Sequence, residues 1–167
     1  RRSDLHLQIK PGEDAALLAG MIRIILAEDL HDAAFCEEFV SGLDELRQSV
    51  ARYDTASVSA RTDIPADAIV EAARTFAAGP RGVAVTGTGP EMSSHPNLTQ
   101  HLTASLNTIC GRYYRAGEMM PNPGALARDT PKYAQVYEAP LAWGRGTRCR
   151  VNPEFGELAS ATGVREM

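Results

Sequence analysis

Twice in this chain a short run with the period of a β-strand ends at glycine and gives way to helical spacing, and that switch limits the possible folds more than any other feature. Leu5-His6-Leu7-Gln8-Ile9 alternates apolar and polar residues and stops at Lys10-Pro11-Gly12. From Asp14 the apolar residues Leu17, Leu18, Met21, Ile22, Ile25 and Leu26 recur at helical spacing, which predicts a helix of about four turns whose start is favoured by Glu13 and Asp14. The second switch begins at Gly82-Val83-Ala84-Val85-Thr86, a β-branched run bounded by glycines that reads as a buried strand. It leads into Gly87-Thr88-Gly89-Pro90, where regular structure does not continue easily. Helical spacing returns through Leu98, Leu102, Leu106 and Ile109, with Gly111 as its C-terminal cap. Alternation of this kind predicts an α/β fold of three layers, rich in helix, with a small parallel sheet.

Between the two switches the pattern is helical. Asp32 can cap a short helix carrying Phe35, Phe39 and Val40, ended by Ser41-Gly42. Leu43, Leu46, Val50 and Tyr53 mark a further helical stretch. Ile64-Pro65-Ala66-Asp67 opens another, with Ile69, Ala72, Ala73 and Phe76 on one face and Gly79-Pro80 as its stop. Gly and Pro number 12 in residues 1–110 and again 12 in residues 111–167, so their density roughly doubles in the last third. Residues 1–118 therefore read as an α/β segment and residues 119–167 as a Gly/Pro-rich arm or inter-domain loop. A structureless stretch of that length argues against independent folding. Trp143 and the basic group Arg145, Arg148 and Arg150 fall in this arm, where an anchoring or subunit-facing role fits better than anion binding.

Composition removes several classes of function. With 17 basic against 21 acidic residues the formal charge is −4, too acidic for a domain that grips nucleic-acid backbones. The most apolar stretch, Ala15 to Ala27, is broken by Arg23 and is too short to cross a bilayer. The three cysteines, Cys36, Cys110 and Cys149, are odd in number and far apart, which suits neither a disulfide framework nor a metal site. The chain opens Arg1-Arg2-Ser3-Asp4 with neither an initiator Met nor a signal peptide, and so reads as an internal piece. A cytoplasmic location is expected.

Chemistry is best placed at the two corners. In Pro11-Gly12-Glu13-Asp14 the free amides of a helix start could hold a polar ligand, and a carboxylate could accept hydrogen bonds from a nucleobase or ribose. A plain helix cap is the alternative, and the commoner use of acidic residues there. In Gly87-Thr88-Gly89 two glycines at the end of a strand would let the backbone approach a flat cofactor, although a tight turn accounts for the same residues. His95 and His101 lie six apart and off metal-binding spacing, and His31 reads as part of a helix entry. Ser93-Ser94-His95 lacks the surroundings of a nucleophile elbow.

The order of these elements resembles the molybdopterin oxidoreductase family of the dimethyl sulfoxide reductase type, in its formate-dehydrogenase-like branch. Asp4-Leu5-His6-Leu7-Gln8-Ile9-Lys10-Pro11-Gly12-Glu13-Asp14-Ala15-Ala16-Leu17 is similar to that family's A-D-x-h-L-x-I-x-P-G-T-D-A-A-L. Leu30-His31-Asp32-Ala33-Ala34-Phe35, Gly42-Leu43-Asp44-Glu45-Leu46, Thr62-Asp63-Ile64-Pro65-Ala66-Asp67-Ala68-Ile69, Ala72-Ala73-Arg74-Thr75-Phe76-Ala77 and Gly87-Thr88-Gly89 follow in the family's order. The resemblance covers residues 1 to about 118. It implies an internal segment of a large subunit that holds molybdenum or tungsten between two molybdopterin guanine dinucleotides and moves two electrons to or from a small substrate. It further implies that Gly12, Glu13 and Asp14 touch a guanosine portion of the cofactor, and that Gly87, Thr88, Gly89 and Met92 approach the pterin.

No catalytic residue and no metal ligand is expected in this chain. The metal ligand, the iron-sulfur cysteines and the C-terminal domain would belong to the remaining domains of the same polypeptide, and the segment alone would be inactive. The chain departs from the family pattern at Met92 where Gln is frequent, at Thr88 where Met is frequent, and in the stretch from Asn107-Thr108-Ile109-Cys110-Gly111-Arg112 to Gly117. A different class of reading is a non-catalytic α/β interaction module that docks on a partner subunit through its C-terminal arm.

Overall fold

The computed structural model describes residues 3–80, 82–120 and 132–134. They fall in two compact units, Arg1–Tyr113 and Tyr114–Met167. The first unit is built of seven helices among its described residues: α1 (Asp14–Ala27), α2 (Ala33–Phe39), α3 (Leu43–Val50), α4 (Thr55–Thr62), α5 (Ala66–Ala78), α6 (Thr88–Glu91) and α7 (Pro96–Ile109). In the second unit, β1 (Met119–Met120) pairs antiparallel with β2 (Lys132–Tyr133). Most of the arm, including Trp143 and Arg145, Arg148 and Arg150, lies outside the described residues.

The apolar spacing of α1 runs nearly all round the helix, and such a helix belongs in the middle of a protein. Accordingly α1 packs against α3, α4, α5 and α7 and buries Ala16, Ala19, Gly20, Met21, Ile22, Ile24, Ile25 and Leu26. Ile22 and Ile25 are fully inaccessible, each contributing about 1.5–3 kcal/mol of transfer free energy. Gly20 is required by closeness: a Cβ there would lie 2.9 Å from a methyl of Val58 on α4. The one basic residue of this helix, Arg23, reaches out to donate to the carbonyl of Ala51 at 3.1 Å.

Three helices run side by side in the same sense. Near their starts, Lys10 donates its amide to the carbonyl of Thr62 just before α5, and Ala15 of α1 shares a cavity wall with Leu98 of α7. Near their ends, Asp32 donates its amide to the Ile109 carbonyl at 2.8 Å, Arg74 of α5 pairs with Glu28 after α1, and Arg112 donates to the carbonyls of Phe76 and Ala77. Gly111 turns the chain after α7 with φ +61°. Any other residue is strained there by the positive φ, and its Cβ would sit 2.5 Å from a carboxylate oxygen of Asp32, which would have to shift. Asp32 is meanwhile the cap of α2, its side chain accepting from the Phe35 amide, as the sequence suggests.

Three expectations need correction. The small parallel sheet is not found among the described residues. Residues 5–9 and 82–86 take no regular secondary structure and lie beside helices and side chains rather than beside another strand's backbone, which a ladder requires. The helical stretch expected to reach Tyr53 ends at Val50, and a separate helix, α4, starts after Asp54, whose carboxylate accepts the Ser57 amide at 2.8 Å. Gly87-Thr88-Gly89-Pro90, expected to lack regular structure, opens the one-turn helix α6, since Gly89 and Pro90 both tolerate a helical first turn.

Candidate functional site

The first corner joins the extended run 5–9 to α1. The Lys10 carbonyl accepts the Glu13 amide at 3.2 Å across Pro11 and Gly12, and Gly12 has φ +88°. Pro at the second and Gly at the third position are what a type II turn demands, so this sequence leaves the corner one shape. The Glu13 side chain does not cap the helix. The guanidinium of Arg61 takes it instead, at 2.6 and 2.9 Å, tying the corner to α4. The cap expected at this position is therefore absent, because a cation on the neighbouring helix wins the carboxylate. Asp14 is half-buried in the first turn, and its carboxylate makes no ion pair among the described residues.

The second corner joins the run 82–86 to α7 by way of α6. Ala84 is held by a side chain: its amide donates to Asn107 Oδ1 at 2.8 Å, and its carbonyl accepts from Asn107 Nδ2 at 2.9 Å. Two residues on, Thr86 donates to Glu91 Oε1 at 3.1 Å, and Gln100 on α7 donates to both Thr86 Oγ1 and Glu91. Gly87 is extended, and Gly87, Thr88 and Gly89 are exposed. A Cβ added at Gly12, Gly87 or Gly89 would meet nothing within 4 Å, so all three look onto open space. Met92 stands 81% exposed beside them.

Direction brings the corners into relation. α1 and α7 start at the same end of the unit; the first corner leads directly into α1, and the second leads into α7 through the single turn of α6. The run 82–86 passes α7 from Asn107 towards Gln100, against the direction of the helix. Both runs thus deliver their last residues towards the end where α1 and α7 start, Gly12, Glu13 and Asp14 following the first and Gly87, Thr88, Gly89 and Met92 the second. Beside the α1 start, a cavity of about 450 Å³ opens between α1, α3 and α7, with Glu45, Arg52 and His101 among its lining.

Other polar groups serve the scaffold. Ser93 donates to the Pro90 carbonyl and meets His95 only through that residue's amide, so the pair forms no catalytic relay. Cys36 and Cys110 are both buried, and loss of hydration raises the thiol pKa of each. The Arg74 guanidinium holds the Glu28 carboxyl below the usual range, and the Ser57 amide does the same for Asp54. Among the described residues no three His, Cys, Asp or Glu side chains gather as a metal site would need, and no helix is long and apolar enough to cross a membrane. Sequence reasoning missed Arg61, Gln100 and Asn107; only Asn107, a polar residue on the apolar face of α7, carried a signal.

No family model matches the chain. Among curated proteins, it is 32% identical over 132 residues to "Probable oxidoreductase YoaE" of Bacillus subtilis (strain 168), covering 78% of this chain and 19% of that protein. It is 31% identical over 125 residues to the "Thiosulfate reductase molybdopterin-containing subunit PhsA" of Salmonella typhimurium, covering 74% of this chain and 16% of that subunit. Formate dehydrogenases and an assimilatory nitrate reductase are also similar. The solved structure of acetylene hydratase from Pelobacter acetylenicus matches with a TM-score of 0.65 at 27% identity, over 71% of this chain and 18% of that one. The chain thus spans about a fifth of the length of the relatives it matches. By these matches it belongs to the molybdopterin oxidoreductases of the dimethyl sulfoxide reductase type.

Proposed function

We propose that this chain supplies part of the cradle for a molybdopterin guanine dinucleotide cofactor in a molybdenum-dependent, formate-dehydrogenase-like oxidoreductase. The observation that carries the reading is the pair of exposed glycine corners at one end of parallel helices. Exposed amides at a helix start suit a polar ligand, and glycines with open space in front suit a close, flat one. With Glu13 taken by Arg61, Asp14 is the carboxylate left at the first corner to accept hydrogen bonds from the N–H groups of a guanine. The second corner, Gly87, Thr88 and Gly89 with Met92 beside it, then faces the pterin.

When bound, molybdenum or tungsten on the pterin supplies two-electron exchange with a small substrate. This chain's residues would bind and orient the group and contribute no metal ligand; the metal's own ligand and an iron-sulfur cluster would come from elsewhere in a longer polypeptide, without which the segment is inactive. The exposed Val83 and Val85 leave an apolar face on the run 82–86 that other parts of a longer polypeptide would cover. Residues from 119 onward would act as an arm against those other parts.

The test is Asp14→Ala in the complete protein. Molybdenum and guanine content should fall several-fold while the melting temperature stays within a few degrees of the parent. Unchanged molybdenum and guanine content would overturn the role of the first corner.

A further inference from the structure

The run 82–86 faces an unusual neighbour. A strand's amides and carbonyls are ordinarily satisfied by another strand, yet both polar groups of Ala84 are satisfied by one side chain, Asn107. A primary amide carries a donor and an acceptor side by side, so it can present to one residue what a neighbouring peptide group would present. Asn107 is 7% exposed, and a buried amide is costly unless both its ends are used, as here. Seven residues earlier, two turns along α7, the Gln100 amide grips the far end of the same run through Thr86 and Glu91. The two grips flank Gly87: one fixes the run before the corner, the other fixes both sides of it.

We infer that Asn107 and Gln100 are positioning residues, and that α7 acts through them as a side-chain strand that sets where the Gly87-Thr88-Gly89 backbone stands before the cofactor. This rests on the cofactor role proposed for that corner. Neither side chain need touch the cofactor; each acts through the backbone it holds. The packing of α7 itself comes from Leu102, Leu106 and Ile109, so the grips can be removed without removing the helix.

The experiment compares Asn107→Leu, Gln100→Leu and Gln100→Lys with Gly87→Val in the complete protein, reading amide hydrogen exchange together with molybdenum and guanine content. Asn107→Leu should speed exchange of the Ala84 amide about tenfold, leave α1 exchange unchanged and lower cofactor content. Gln100→Leu, on an exposed face and safe for folding, should also lower cofactor content, and Gln100→Lys, which still donates to Thr86 and Glu91, should restore it. A purely structural role would not produce that rescue. If Gly87→Val lowers cofactor content but Ala84 exchange and content are unmoved by Asn107→Leu and Gln100→Leu, the positioning role is overturned and the corner's role stands. If Gly87→Val leaves content unchanged, the corner's role fails, and the positioning role fails with it even where Ala84 exchange is faster.

Discussion

The corner at Gly12 and the corner at Gly87 present the same thing, an open glycine backbone at the start of a helix, but the protein holds them by different means. At the first, backbone meets backbone, Lys10 to Thr62, and an ion pair from Arg61 to Glu13 adds a second tie to α4. At the second, two side-chain amides from α7 do the holding. The first depends on whether α4 is folded, the second on which residues α7 carries. Two amides report the two corners separately: Lys10 for the first, Ala84 for the second.

The comparison breaks most visibly in the shared core. Ile25→Ala empties a fully buried site on α1 and should cost about 2–5 kcal/mol, loosening both reporter amides together. Thermal unfolding with exchange at Lys10 and Ala84 checks this, and loosening at one corner alone would mean that the helices do not form a common support. Next in size, Gly111→Ala combines φ +61° with a carboxylate 2.5 Å from the new Cβ and should lower stability by about 1–2 kcal/mol in denaturant titration.

Smaller effects should separate the corners. Arg61→Ala removes an exposed ion pair, so at most about 1 kcal/mol is lost, mainly at Lys10 and less at high salt. Acid should act in the same direction. Asp54 caps α4, and its folded pKa is depressed, so its contribution is present above the ordinary carboxylate pKa and is lost as pH falls through the lowered folded value. Below the ordinary carboxylate pKa of about 4, protection of the α4 and Lys10 amides, corrected for intrinsic exchange, should fall while that of Ala84 is unmoved, and Asp54→Asn should weaken that pH dependence.

The sequence makes strongly periodic elements legible and leaves tertiary pairings hidden. The apolar spacing of residues 14–27 and 96–109, the Asp32 cap and the Gly111 turn can all be read directly, because each is local. The helix α4 carries Val58 and Thr62 as its only buried residues, too little for a periodic signal, although Asp54 before it was a usable cue. The sheet was overread because alternation in residues 5–9 describes an extended chain with one buried side, whatever covers the other. The grips of Asn107 and Gln100 depend on residues 9 to 23 positions away in sequence, which no local rule connects.

A structure of the complete protein with its cofactor in place would show what the two corners hold. Asp14 should stand within hydrogen-bond distance of a guanine, and the Gly87-Thr88-Gly89 backbone against the pterin. Both corners covered by protein, with the cofactor bound elsewhere, would contradict it.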